Sequence, residues 1–185
     1  MCFTSRMASL FSHPAIPLSC GLILGARRLP ARYWVLGAIA SMAPDIDVLA
    51  FSLGIPYDAP FGHRGGTHSI LFAGIVAAML MFREWRHFAR HGLLFGYLFI
   101  AALSHPLLDM LTDGGLGIAL FYPFSTERFF FPWRPISVSP IGGAFFSQAG
   151  LEVIVSELKW IWLPCAALTI IFSIARATKR RSTTC

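Results

Sequence analysis

Charge is scarce in this chain. Only 13% of its 185 residues are Asp, Glu, Lys or Arg, against about 25% in an ordinary soluble domain. With 56% hydrophobic residues and a mean hydropathy of +0.65, that scarcity excludes a soluble enzyme and predicts a small polytopic membrane protein. Cysteine is sparse too. Cys2, Cys20, Cys165 and Cys185 lie far apart and none has a CxxC spacing, which excludes a disulfide framework and a zinc–cysteine site. No HExxH, GxSxG or Walker A motif occurs, so zincin, serine-hydrolase and P-loop readings have no local support. The apolar run from Met7 to Ala26 has only Arg6 before it and Arg27-Arg28 after it, which suits a retained first span rather than a cleaved leader.

The formal charge of +6 comes in short basic clusters between apolar runs rather than in one patch. Nucleic acid is therefore not an expected partner; the lipid bilayer is. Five runs approach the roughly 20 residues needed to span a bilayer: 7–26, 33–53, 68–82, 92–112 and 158–175. Arg27, Arg28 and Arg32, then Arg83, Arg86 and Arg90, then Arg176, Lys179, Arg180 and Arg181 all fall on one side of such a bundle. The positive-inside rule makes that side cytoplasmic, with the N-terminus outside and the C-terminus inside. The expected fold is an all-α, polytopic membrane helix bundle forming one integral membrane domain over 1–185. Its parts are a motif-bearing core (10–130), an outward-facing interfacial segment (113–157), a last span (158–175) and a basic tail (176–185).

Four polar stretches interrupt the apolar runs: His13, Pro44-Asp45-Ile46-Asp47, His63-Arg64-Gly65-Gly66-Thr67-His68-Ser69, and His105-Pro106-Leu107-Leu108-Asp109. Ionisable side chains within spans are costly and usually face a protein interior where they serve function. Counted from the cytoplasmic ends, His13, Asp45, Asp47, His68 and His105 come out about 18 to 21 Å deep and Asp109 about 26 Å. Residues from four spans thus share one level, toward the outer face. His105 and Asp109, four apart, point from one helix face. Asp45 and Asp47, two apart, diverge on a regular helix, but Pro44 disfavours helical geometry at Ala43, so a break can turn both inward. One of the two then ligates while the other holds a histidine ring. Gly65 and Gly66 let the loop fold tightly enough for His63 and His68 to reach one site, and Arg64 can pair with a phosphate or carboxylate oxygen.

A set of His13, Asp45, Asp47, His63, His68, His105 and Asp109 suits one or two borderline transition ions, zinc first, then manganese or iron. A bound ion lowers the pKa of water and a second clamps a leaving-group oxygen, which makes hydrolysis the economical reaction class. Asp45 or Asp113 can act as general base, and the sequence leaves both open. The aromatic segment Arg128-Phe129-Phe130-Phe131-Pro132-Trp133-Arg134-Pro135 suits the headgroup interface and offers Arg128 and Arg134, beside Arg64, for substrate phosphate.

In combination, these motifs resemble the YdjM-type family of bacterial inner-membrane proteins described as metal-dependent hydrolases. The early His13, the PDxD element Pro44–Asp47, the HRGxTHS element His63–Ser69 and the HxxLD element His105–Asp109 carry the likeness, over about residues 10 to 130. Tyr122 to Arg128 is similar to a later family element. The resemblance implies a membrane-embedded metal hydrolase of the bacterial inner membrane, and headgroup depth favours a lipid or lipid-linked phosphoester as substrate. Three other readings compete. His-x-x-x-Asp also resembles the last motif of PAP2-type lipid phosphatases, with His105 as nucleophile, but their KxxxxxxRP and PSGH elements are absent. A metal-ion or proton transporter also uses buried Asp and His, yet the chain has no clear internal repeat. The third is a membrane interaction protein stabilised by a metal.

Overall fold

The computed structural model describes residues 6–7, 11–140 and 145–182. The apolar runs become helices, and the polar stretches lie at or near their ends. Helix α1 (Ala15–Leu24) ends at Gly25, whose φ of 78° and N–H bond to the Gly21 carbonyl close its last turn. Helix α2 (Ala31–Met42) runs directly into a 3₁₀ turn at Ala43–Val48 and a short α3 (Leu49–Ser52). Ser69 caps α4 (Ile70–Arg83) by accepting the Phe72 N–H at 3.1 Å, and α5 (His91–Asp109) carries Pro106 in its last turn.

The result is an all-α membrane bundle. Three continuous helical stretches, Ala31–Ser52, His91–Asp109 and Gln148–Thr178, are long and apolar enough to cross a membrane, and α1 and α4 are shorter apolar helices. These five segments correspond to the five expected runs. The fifth differs in extent: Gln148–Glu157 (α6) continues through a π-helical turn at Leu158–Trp162 into α7 (Leu163–Ser182), so the helix starts ten residues before the expected 158. Glu152 and Glu157 make that stretch read as polar, but no proline interrupts it, and a helix once begun propagates cheaply.

Small residues set the packing. Ala40, Ala73, Ala77, Ala101 and Ala102 are buried with Leu29, Tyr33, Leu94 and Leu98 in the core between α2, α4 and α5. A side chain at Gly37 would collide with the Tyr97 phenol, which instead donates to the Pro17 carbonyl at 2.9 Å and ties α5 to α1. Helix α7 leans on α1, where Ser19 Oγ donates to the Cys165 carbonyl at 3.0 Å. Arg176 donates to the Ile23 and Leu22 carbonyls at 2.6 and 3.1 Å, a cation at the α1 C-terminus where the helix dipole favours it. A two-residue antiparallel pair, β1 (Arg6–Met7) with β2 (Ser139–Pro140), joins the chain's start to the segment before α6.

Candidate metal centre

Local geometry explains how residues from four stretches meet. In the 3₁₀ turn, at about 120° per residue, Asp45 and Asp47 stand about 120° apart around the axis, whereas an α-helix would hold them about 160° apart. Both carboxylates therefore turn inward, 7% and 2% exposed, while Ile46 between them is 60% exposed on the opposite side. Arg64 sits at φ 61°, in the left-handed region that non-glycine residues seldom occupy. The next residue must be glycine, because a Cβ at Gly65 would run into the Pro60 and Gly62 carbonyls. This tight loop drives His63 and His68 into the core. His105 and Asp109 arrive one turn apart on α5, and His13 comes from the turn before α1; all four histidines are fully buried.

The histidine rings are held from behind. His63 Nδ1 lies 2.6 Å from Asp47 Oδ1, and His68 Nδ1 lies 3.1 Å from Asp47 Oδ2. Asp47 Oδ2 also accepts the Thr67 hydroxyl at 2.6 Å and the Arg64 N–H at 3.0 Å. His105 Nδ1 donates to the Ser41 carbonyl at 2.7 Å. A ring with its Nδ1–H so engaged presents the lone pair of Nε2 forward, the usual arrangement behind metal-ligating histidines. His13 stacks on His105, ring centroids 3.7 Å apart.

In front, the Nε2 atoms of His68 and His105 are 3.2 Å apart. Asp45 Oδ1 is 3.3 Å from His105 Nε2 and 3.9 Å from His68 Nε2; Asp109 Oδ2 is 3.5 Å from His68 Nε2 and 3.9 Å from His105 Nε2. Ligand atoms at about 2.0–2.2 Å from a tetrahedral ion lie about 3.3–3.6 Å from one another, so the spacing fits an ion. The donor set fits as well: among the described residues, both nitrogens of His13, both oxygens of Asp45 and of Asp109, and Nε2 of His63 are buried without a hydrogen-bond partner, with Asp109 Oδ1 3.9 Å from His13 Nε2. Each such atom costs about 1–3 kcal/mol, and a bound cation takes up the lone pairs that point at it. Two groups, His13 with His105 and Asp109, and Asp45 with His63 and His68, each bring three ligand atoms within 4.8 Å of one another.

Several expected site residues fall elsewhere. Asp47 sits behind the rings of His63 and His68, with both oxygens engaged there. Arg64 turns into the protein: Nε is 3.2 Å from Asp109 Oδ2, Nη1 donates to the Gly114 and Leu116 carbonyls, and Nη2 donates to Thr112 Oγ1 at 3.0 Å. Arg128 is occupied by main chain, donating to the carbonyls of His63, Arg64, Gly117, Tyr57 and Ala59 at 3.2–3.3 Å. Asp113 is exposed and accepts the Val138 N–H at 2.8 Å. Arg134 lies over the Phe130 ring, 4.9 Å from its centroid. Thr67, the Ser41 carbonyl and Thr112 belong to the support of the site and were not singled out from sequence. Thr67 lies inside the His63–Ser69 element and Thr112 just past the His105–Asp109 element. Phe51 and Tyr57 pack on His63 at 5.6 and 5.2 Å and form the wall of a 550 Å³ cavity lined also by Gly54, Ile55, Pro56, Asp58 and Leu116. Burial pushes the ionisation of the Tyr57 phenol up.

Fold and site define the class: an all-α membrane protein whose helices enclose a buried histidine–aspartate group able to bind metal. The family model for the YdjM inner membrane protein matches residues 7–181, and the chain belongs to that family. It is similar to inner membrane protein YbcI of Escherichia coli (strain K12), 45% identical over 161 residues that cover 85% of this chain and 92% of that protein. No solved structure matches it. The family likeness reaches beyond the expected 10–130 and takes in the last helix.

Proposed function

We propose that the protein is a metal-dependent hydrolase of the inner membrane that cleaves a lipid or lipid-linked phosphoester. The observation that carries this reading is the set of buried lone-pair atoms on His13, Asp45, His63 and Asp109 that make no hydrogen bond among the described residues, converging with the Nε2 atoms of His68 and His105. A divalent ion, zinc before manganese or iron, would be held by His13, Asp45, His63, His68, His105 and Asp109. When bound, it acidifies water and polarises a phosphoryl oxygen.

The chain's own residues do the rest. Asp47 fixes the rings of His63 and His68, and Ser41 fixes that of His105. Arg64 offsets the charge of Asp109. Phe51 and Tyr57 keep bulk water off His63, and the cavity beyond them, lined mainly by apolar residues at the end of a membrane helix, offers an amphiphile its approach. Asp45 is the better general base, since Asp113 is exposed and bonded to Val138. Two carboxylates within 3.3 and 3.9 Å of His105 Nε2 repel an incoming phosphate, which argues against His105 as a phosphate nucleophile. The basic clusters favour an outside N-terminus and a centre toward the outer face.

The test is a panel of lipid phosphoesters assayed in detergent with added zinc or manganese. The expected result is turnover abolished by chelation and lowered about 100-fold or more in Asp45→Asn. Metal-loaded protein inert on every phosphoester, ester and amide offered would assign the ion a structural role.

A further inference from the structure

The same buried atoms admit two different occupancies. In the first, one ion sits among His68 Nε2, His105 Nε2, Asp45 Oδ1 and Asp109 Oδ2, where the histidine–histidine and histidine–carboxylate separations run from 3.2 to 3.9 Å. That is a closed four-ligand shell, the pattern of a structural zinc. In the second, two ions lie side by side, one on His13, His105 and Asp109, the other on Asp45, His63 and His68. Each triad supplies three protein ligands and leaves a position open, the pattern of catalytic zinc.

The orphaned atoms decide between them. Among the described residues, a single ion in the four-ligand shell leaves His13, fully buried, with no hydrogen bond to either nitrogen and only Asp109 Oδ1 at 3.9 Å from Nε2, and leaves His63 Nε2 and the second oxygen of Asp45 without a hydrogen bond too. Each buried unsatisfied atom carries a desolvation cost, and that shell leaves several such costs in place. Two ions bring in His13 and His63 and put both carboxylates where each can reach either ion. The triads also abut: His68 of one is 3.2 Å from His105 of the other, and Asp45 of one is 3.3 Å from His105 of the other. Two-metal hydrolytic centres hold their ions about 3.5–4 Å apart, which calls for triads in contact of this kind. Charge is the opposing consideration. With neutral histidines the buried set carries three carboxylates and the Arg64 guanidinium, so one divalent ion neutralises it and two leave it positive. An anionic substrate balances that excess, and a phosphoester is one.

We infer that the centre is dinuclear, with His13–His105–Asp109 and Asp45–His63–His68 as its two ion sites. This rests on the metal-centre reading above. Elemental analysis of the full chain purified with zinc, and again with manganese, separates the two claims. Two ions per chain are expected, falling to one in His13→Ala and to one in His63→Ala, with electron paramagnetic resonance of the manganese form giving an exchange-coupled spectrum. One ion per chain in the wild type, unchanged in both variants and with an isolated-manganese spectrum, would overturn the dinuclear assignment and leave a metal centre standing. No bound metal in folded wild-type protein would overturn both. The wild-type measurements decide the question if a variant fails to fold.

Discussion

At the scale of single residues, the division of labour between Asp45 and Asp47 is the most informative detail. Both look alike in sequence, two carboxylates flanking an isoleucine. In the structure both oxygens of Asp47 are taken by the His63 and His68 rings, Thr67 and the Arg64 N–H, while both oxygens of Asp45 have no hydrogen-bond partner among the described residues. Asp47→Asn is therefore expected to keep metal but bind it about 10–100-fold more weakly, as loss of a ring-orienting partner does, whereas Asp45→Ala loses an ion; isothermal titration with zinc distinguishes the two. Arg64 carries a different risk. It is fully buried beside Asp109, and removing one member of a buried pair costs about 3–5 kcal/mol. Arg64→Met is expected to fold poorly, read as a lowered melting temperature in detergent, even with metal supplied. Its charge made it look like a substrate ligand in sequence, because nothing there reveals that the 112–116 segment folds back over it with carbonyls to offer.

Among elements, the 3₁₀ turn after α2 is what brings the carboxylates to the centre. Pro44 foreshadows the break, since proline limits the residue before it, and the inward turn of both aspartates was legible from that alone. Pro44→Ala lets α2 continue as an α-helix and swings Asp45 and Asp47 apart by about 40°. Weaker zinc binding with little change in helical content, measured by titration beside circular dichroism, is the expected outcome. Less was legible where polarity and helix propensity disagree. Glu152 and Glu157 hid the first ten residues of the last helix, and the roles of Arg128 and Thr112, which bind main chain and Arg64 across the 110–130 segment, have no sequence signature because they depend on contacts between distant residues.

For the whole molecule, the bundle exists to hold one polar layer. Depth counting brought His13, the two aspartates, His68 and His105 to a common level, and the structure shows why they meet: small residues on α2, α4 and α5 let the helices approach closely, and the Tyr97–Pro17 bond draws α1, with His13 ahead of it, against α5. Such a layer, left without an ion, destabilises the bundle. A ligand present at about a thousand times its dissociation constant adds about 4 kcal/mol to the state that binds it, so chelation is expected to lower the melting temperature by several degrees, and readdition of zinc to restore it. The basic clusters predict a cytoplasmic C-terminus, so a green fluorescent protein fused there should fluoresce and alkaline phosphatase fused there should be inactive. The central claim, that His13, Asp45, His63, His68, His105 and Asp109 hold a divalent metal, is met most directly by anomalous diffraction at the zinc and manganese edges from crystals of the full chain. The account predicts density within about 2.0–2.2 Å of the Nε2 atoms of His68 and His105; an ordered, fully folded centre without anomalous density, in protein supplied with those metals, would contradict it.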